Sequence, residues 1–236
     1  MKPGIATVQK AQDLTPNVRE VEMRVREPAD FSFKPGQFIS VTVAEKVMRP
    51  YSLAISPEES AENGALLRIC VKLQDGGIGS GFLRGLRPGD AVNFRGPLGR
   101  FTIQPESPRT NLLFIATGTG ISPLRSMITH LLANGTKKNV TLLHGLRSEE
   151  DVFYSDLFSR LAERHANFTY RPTLSRPKGE WQGLVGRCTA HLEHYVDGLQ
   201  TTETYMCGND AMINEVVRKL TDLGFPKEQI HNEKFG

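Results

Sequence analysis

A chain of 236 residues with 39% hydrophobic and 23% charged residues has the composition of a folded, water-soluble protein, with enough apolar side chains for one large domain or two ordinary ones. Its net charge of +3 is too small and too dispersed for a nucleic-acid-binding stripe, though a local basic patch for an acidic protein partner remains open. Cys70, Cys188 and Cys207 form an odd, widely spaced set, which argues against a disulfide framework and denies an iron–sulfur cluster its grouped thiolates. No metal site is expected. Residues 1–11 lack the apolar core of a signal peptide, and no apolar run approaches the roughly 20 residues of a membrane helix. The expectation is a reduced cytoplasmic protein with no membrane span.

The first part of the chain reads as short strands punctuated by Pro/Gly turns. Val21, Met23 and Val25 alternate with charged residues, the period of a half-buried strand. A turn at Lys34-Pro35-Gly36 leads into a strand over residues 38–43, and another strand covers 66–73. A helix over 79–86 is the only one expected in this half. The turn Arg87-Pro88-Gly89-Asp90 precedes a strand over 91–94. Such spacing predicts an antiparallel barrel. The polar stretch 104–110, with Pro105 and Pro108, reads as a linker.

From Asn111 the rhythm changes. Residues 112–116 are a continuous apolar run, as in a strand buried on both faces. Leu124, Met127, Ile128, Leu131 and Leu132 then recur at helical spacing over 122–133. A strand at 140–143, a helix at 154–164, a strand at 168–173, a strand at 203–207 and a helix at 209–223 continue the alternation. Strand–helix repetition implies a parallel sheet with covering helices, whose ligands bind beyond the carboxyl ends of the strands.

Five segments carry chemistry. Thr117-Gly118-Thr119-Gly120-Ile121-Ser122-Pro123 joins the apolar strand to a helix. Its glycines admit a close anion, Pro123 suits a first helical turn, and free N–H groups with the helix dipole face a pyrophosphate. It is not a GxGxxG fingerprint, and alone it is a tight turn as often as a phosphate site. Arg49-Pro50-Tyr51-Ser52 sets a cation, an aromatic ring and a hydroxyl along one strand. Gly76-Gly77-Ile78-Gly79-Ser80 opens the barrel's helix as a second anion-binding start. Tyr205-Met206-Cys207-Gly208-Asn209-Asp210 is another strand-to-helix turn, and Glu233-Lys234-Phe235-Gly236 closes the sequence.

Taken together and in this order, the segments resemble the ferredoxin–NADP reductase family. Arg49–Ser52 resembles its flavin motif, Gly77–Ser80 with Phe82-Leu83 its pyrophosphate motif, and Gly96-Pro97-Leu98-Gly99 its end-of-barrel turn. Gly118–Pro123 and Cys207-Gly208 resemble its nicotinamide-dinucleotide motifs, and Glu233-x-Phe235 its Glu-x-Tyr ending, with Phe for Tyr and Gly236 added. The ending is also similar to that of oxygenase reductase components.

The resemblance implies two domains: a Greek-key antiparallel β-barrel binding FAD over 1–106, and an α/β parallel-sheet domain binding NAD(P) over 107–236. It implies Arg49, Pro50, Tyr51, Ser52, Val71, Lys72, Gly77, Ile78, Gly79, Ser80 and Phe235 as the FAD set. Thr117, Gly118, Thr119, Gly120, Pro123, Arg147, Ser175, Arg176, Cys207 and Gly208 form the NADP set. Ser52, Cys207 and Glu233 take catalytic roles, at flavin N5, under the nicotinamide and as a proton relay. Ser175-Arg176, with Arg147, points to NADP(H) through a 2′-phosphate, with NAD(H) the alternative. The implied activity is hydride transfer between NAD(P)H and flavin and single-electron transfer to a small carrier protein, a ferredoxin or an oxygenase component. The alternatives are an NAD(P)H:flavin reductase and an electron-transfer subunit of a larger complex.

Overall fold

Along residues 38–44 and 91–96 every second side chain is buried, the pattern that lets a sheet wrap one core. The computed structural model describes residues 2–235. It divides into two units, Met1–Ile103 with Arg125–Asn134, and Gln104–Leu124 with Gly135–Gly236.

The first unit runs β1 (Lys2–Thr15), β2 (Val18–Glu27), β3 (Phe38–Ala44), β4 (Val47–Ser52), α1 (Pro57–Glu62), β5 (Leu66–Lys72), α2 (Ile78–Gly85) and β6 (Ala91–Leu98). Its strands lie in the order β4-β3-β6-β1-β2-β5, and each neighbouring pair is antiparallel. The two ends of that order meet where Leu53 bridges Ile69 and the Ala54 N–H donates to the Arg68 carbonyl at 2.7 Å. The sheet thereby closes into a barrel, and β6, inserted between β1 and β3, makes it a Greek key. Val21, Met23, Ile39, Val41, Leu67, Ile69 and Phe94 form the centre of its core. Arg68 is held among carboxylates: 2.7 Å from Glu22, 2.5 Å from Glu59 and 3.5 Å from Glu20.

Three expectations are corrected here. The barrel unit has a second helix, α1: the Ser56 hydroxyl accepts from the Glu59 N–H at 3.2 Å, and Pro57, Glu58 and Glu59 fill the first turn. That is a helix start legible in principle from Ser-Pro-Glu-Glu. Strand β1 was not expected, because Gly4, Gln9 and Gln12 break the apolar alternation. Residues 96–98 are strand, with Gly96 opposite Lys2 and Leu98 opposite Phe38; the chain turns only at Gly99, whose φ is +99°.

The second unit runs β7 (Asn111–Thr117), α3 (Ile121–Ala133), β8 (Asn139–Leu146), α4 (Ser155–Arg164), β9 (Phe168–Leu174), β10 (Leu184–Val185), β11 (Thr202–Gly208), α5 (Asp210–Asp222) and β12 (Ile230–Lys234); within α3 only the first turn groups with this unit, the helix from Arg125 on clustering with the first. All neighbours are parallel, in the order β10-β9-β8-β7-β11-β12. Leu112 to Ala116 are all buried, as an apolar run predicts. The chain steps outward from β7 to β10, then returns to β11 on the other side of β7. Progression therefore reverses between β7 and β11, the place where such sheets open a ligand crevice. Strand β12 was not expected, since Ile-His-Asn-Glu-Lys carries no apolar alternation; its partner β11 creates it. Among the described residues no helix is long and apolar enough to cross a membrane, and no group of metal-ligating side chains occurs.

Candidate cofactor sites

In the first unit, Arg49 and Tyr51 share one face of β4, and Pro50 and Ser52 the other. Arg49 and Pro50 are exposed, Tyr51 is half-buried and Ser52 is buried. The start of α2 lies against the Arg49–Tyr51 face. A Cβ placed on Gly79 would fall 2.5 Å from Tyr51 Oη and 3.4 Å from Arg49 Cγ, so only glycine allows this approach. Gly77 caps α2 and, having no side chain, offers no acceptor to the first-turn N–H groups, while the Ser80 hydroxyl accepts the Gln74 N–H at 2.8 Å. A helix start with no side-chain cap and a guanidinium stem beside it suits a diphosphate. Burial pushes the Tyr51 phenol up, against the opposing charge of Arg49, so the ring is neutral and free to stack. Val71 and Lys72 end β5, opposite Arg19 and Val18. Ile78 is 54% exposed.

In the second unit, β7 passes through one 3₁₀ turn, Gly118–Gly120, directly into α3. A Cβ on Gly120 would fall 2.5 Å from the Cys207 carbonyl carbon and 2.8 Å from Gly208 Cα. The turns after β7 and β11 are thus pressed backbone to backbone at the point of reversal. Thr117 Oγ1 clasps them, accepting from the Asn209 N–H and Nδ2, each at 3.3 Å. The Ser122 hydroxyl donates to the Thr119 carbonyl at 2.9 Å, and Pro123 sits in the first turn of α3, where its missing N–H costs nothing. Beneath the turn, His144 of β8 is fully buried and its Nε2 lies 3.2 Å from the Gly118 carbonyl oxygen.

Cys207 and Glu233 face each other in register across β11 and β12. Cys207 is fully buried; that burial, and then the charge of Glu233, holds its thiol well above the usual range. It is a neutral packing surface, not a thiolate. The Phe235 N–H donates to the Gly208 carbonyl at 2.9 Å, so the segment to Phe235 is tied along β11 rather than hanging free. Gly236 lies outside the described residues.

Beyond the ends of β8 and β9 the ladder continues. Ser175 N–H donates to the Leu146 carbonyl at 3.0 Å and Arg176 N–H to the Arg147 carbonyl at 2.7 Å, which sets exposed Arg147, Ser175 and Arg176 side by side. The following loop is held by Glu149, which accepts the backbone N–H groups of Lys178 and Gly179 at 3.0 Å each. His144 was not singled out from sequence, and Ser122 and Asn209 were named within their motif segments without a role of their own. A lone histidine ending the apolar run Val-Thr-Leu-Leu, and an asparagine one residue before a helix, were the available signals.

Residues 5–103 match the model of the oxidoreductase FAD-binding domain and residues 114–218 that of the oxidoreductase NAD-binding domain. Ferredoxin--NADP reductase B of Sorangium cellulosum is 34% identical over 245 residues, covering 99% of this chain and 98% of the relative. The reductase component DmpP of phenol 2-monooxygenase from a Pseudomonas species is 32% identical, over 94% of this chain but 63% of the relative. Among solved structures, the Amycolatopsis cytochrome P450 reductase GcoB superposes with a TM-score of 0.89 at 28% identity, covering 99% of this chain and 70% of that one. A ferredoxin NADP+ reductase from Neisseria gonorrhoeae shares the fold, with a TM-score of 0.85 at 22% identity over 99% of both chains. With two such domains and a relative aligned from end to end, the chain belongs to the ferredoxin–NADP reductase family of FAD- and NAD(P)-binding oxidoreductases.

Proposed function

We propose that this chain takes hydride equivalents from NADPH and delivers single electrons to a small carrier protein, a ferredoxin or an oxygenase component. The observation that carries the reading is the start of α2, without a side-chain cap, with Arg49 and Tyr51 laid against Gly79. A cation, first-turn N–H groups and a neutral ring in one place fit the diphosphate and flat ring of FAD. Arg49 and the backbone of Gly77, Ile78, Gly79 and Ser80 hold the diphosphate. Tyr51, Pro50, Val71 and Lys72 support the ring system, and Ser52 is assigned to its N5 edge. Bound FAD supplies the step that protein side chains lack, two-electron uptake followed by one-electron release.

The second unit binds the coenzyme. N–H groups of Thr117, Gly118, Thr119 and Gly120 and the dipole of α3 receive its pyrophosphate, with Pro123 fixing the first turn. Arg147, Ser175 and Arg176 clasp a 2′-phosphate, which favours NADPH over NADH. Cys207 offers its neutral sulfur as a surface for the nicotinamide, Glu233 beside it holds a proton, and Phe235 is the aromatic ring that would have to yield to the nicotinamide. The match to a phenol 2-monooxygenase reductase component favours an oxygenase component as the acceptor in one version of this reading.

The test compares kcat/KM for NADPH and NADH with ferredoxin-type, oxygenase-type and artificial acceptors, on protein reconstituted with FAD. Yellow protein that retains its colour through gel filtration and prefers NADPH is the expected result. Colour that elutes with the small molecules supports a flavin reductase instead. A preference for NADH overturns the coenzyme assignment, and protein that binds no flavin overturns the whole reading.

A further inference from the structure

Beneath the turn after β7 lies a buried side-chain nitrogen that has no hydrogen-bond partner among the described residues, Nδ1 of His144. His144 occupies β8 between Ala116 of β7 and Pro172 of β9. Its ring is fully buried and meets Phe153 edge-on, with centroids 5.5 Å apart at 88°. Nε2 is 3.2 Å from the Gly118 carbonyl oxygen, and Nδ1 is buried with no hydrogen-bond partner among the described residues. A carbonyl oxygen only accepts, so Nε2 carries the proton and Nδ1 is a bare lone pair. Burial holds the ring neutral, pushing its proton affinity down to about 4.

A buried histidine with one satisfied and one orphaned nitrogen is an expensive way to fill space among Leu142, Leu143 and Leu146. The bond it makes has a geometric consequence. The Gly118–Thr119 peptide is planar and trans, so its C=O and N–H point in opposite directions. Fastening the Gly118 oxygen downward, onto the buried ring and onto the Ile121 N–H, aims the Thr119 N–H upward. Gly118 itself is half-buried, and a Cβ placed on it would meet nothing within 4 Å, so the turn has open space beside it for an anion.

We propose that His144, as its neutral Nε2–H tautomer, is a positioning residue for the coenzyme: by anchoring the Gly118 carbonyl it presents the Thr119 N–H to the pyrophosphate. The inference deepens the reading of Thr117–Gly120 as the dinucleotide turn and rests on it. His144 touches neither coenzyme nor flavin; it acts through one peptide plane.

The holoenzyme tests it through His144→Phe, which removes the donor, and His144→Gln, which keeps an N–H. In the phenylalanine variant KM for NADPH is expected to rise about three- to tenfold, the worth of one hydrogen bond, with kcat and FAD content little changed. Glutamine restores most of the loss. Equal KM in wild type and His144→Phe, or equal losses in both variants, overturns the role. Should the variants not fold, nitrogen-15 NMR of the wild-type protein decides. The expected result is a neutral Nε2–H ring and a Thr119 amide that shifts on addition of NADP+; an Nδ1–H or charged ring at neutral pH, or an unmoved Thr119 amide, refutes the proposal. Wild-type protein that binds neither NADPH nor NADH removes the dinucleotide reading itself, which separates that failure from this one.

Discussion

Exchanging His144 for glutamine is expected to flatten the acid side of the second unit's stability curve. The folded ring takes a proton only at about pH 4, against 6.5 for the ordinary side chain, because burial disfavours its charged form and the Gly118 carbonyl offsets only part of that. In the unfolded chain the ring is solvated and titrates normally. Between about pH 6.5 and 4 the unfolded chain therefore binds a proton that the folded chain refuses. Stability from this site is complete above the upper value and is lost as pH falls toward the lower one. With each tenfold in proton affinity worth about 1.4 kcal/mol, the loss approaches about 3 kcal/mol at the bottom of the window and is about 2 kcal/mol at pH 4.5. Urea unfolding at pH 7 and pH 4.5 reads it directly. Trp181, the single tryptophan of the chain, reports on the second unit, where its Nε1–H donates to the Leu184 carbonyl at 2.9 Å. Carboxylates that titrate in the same window act equally in both proteins and cancel. The fall in stability on acidification should be about 2 kcal/mol smaller in the variant. An equal fall in both would refute the picture of a buried neutral imidazole under the turn.

Cys207→Ala should leave FAD bound and slow the reduction of flavin by NADPH in stopped flow; an unchanged rate removes Cys207 from the mechanism. Phe235→Ala should lower KM for NADPH and narrow the NADPH-to-NADH ratio of kcat/KM, and wild-type values for both would remove the ring from coenzyme binding. Arg68→Ala should remove the guanidinium shared by Glu20, Glu22 and Glu59, leaving Glu59 its ion pair with Arg125 at 3.2 Å, and cost the first unit about 3–5 kcal/mol. Chemical denaturation followed by flavin release measures it, and a loss below about 1 kcal/mol would mean that water already screens the cluster.

The resemblance carried further than the periodicity did, and the reason lies in what each reads. Apolar alternation and unbroken apolar runs mark a segment by its own residues, so β2, β3, β5 and the buried β7 were legible. So was the turn at Gly118–Gly120, whose glycines are demanded locally. The starts of α2 and α5 were found to within a residue or so for the same reason, since cap and turn residues act over one helical turn. By contrast β1 and β12 were missed, each being a strand because of its neighbour: Ile230–Lys234 has no strand pattern until β11 supplies hydrogen bonds to it.

Composition, punctuation and motif order by themselves determined that the chain holds an antiparallel half and a parallel half, and roughly where the anion-binding turns lie. Tertiary structure alone decided the rest: the closure of the barrel at Leu53 and Ile69, the meeting of Tyr51 with Gly79, the pairing of Cys207 with Glu233, and the seat of His144 beneath Gly118. Each joins residues far apart along the chain. Such contacts depend on strand order and register, which no short window of sequence encodes.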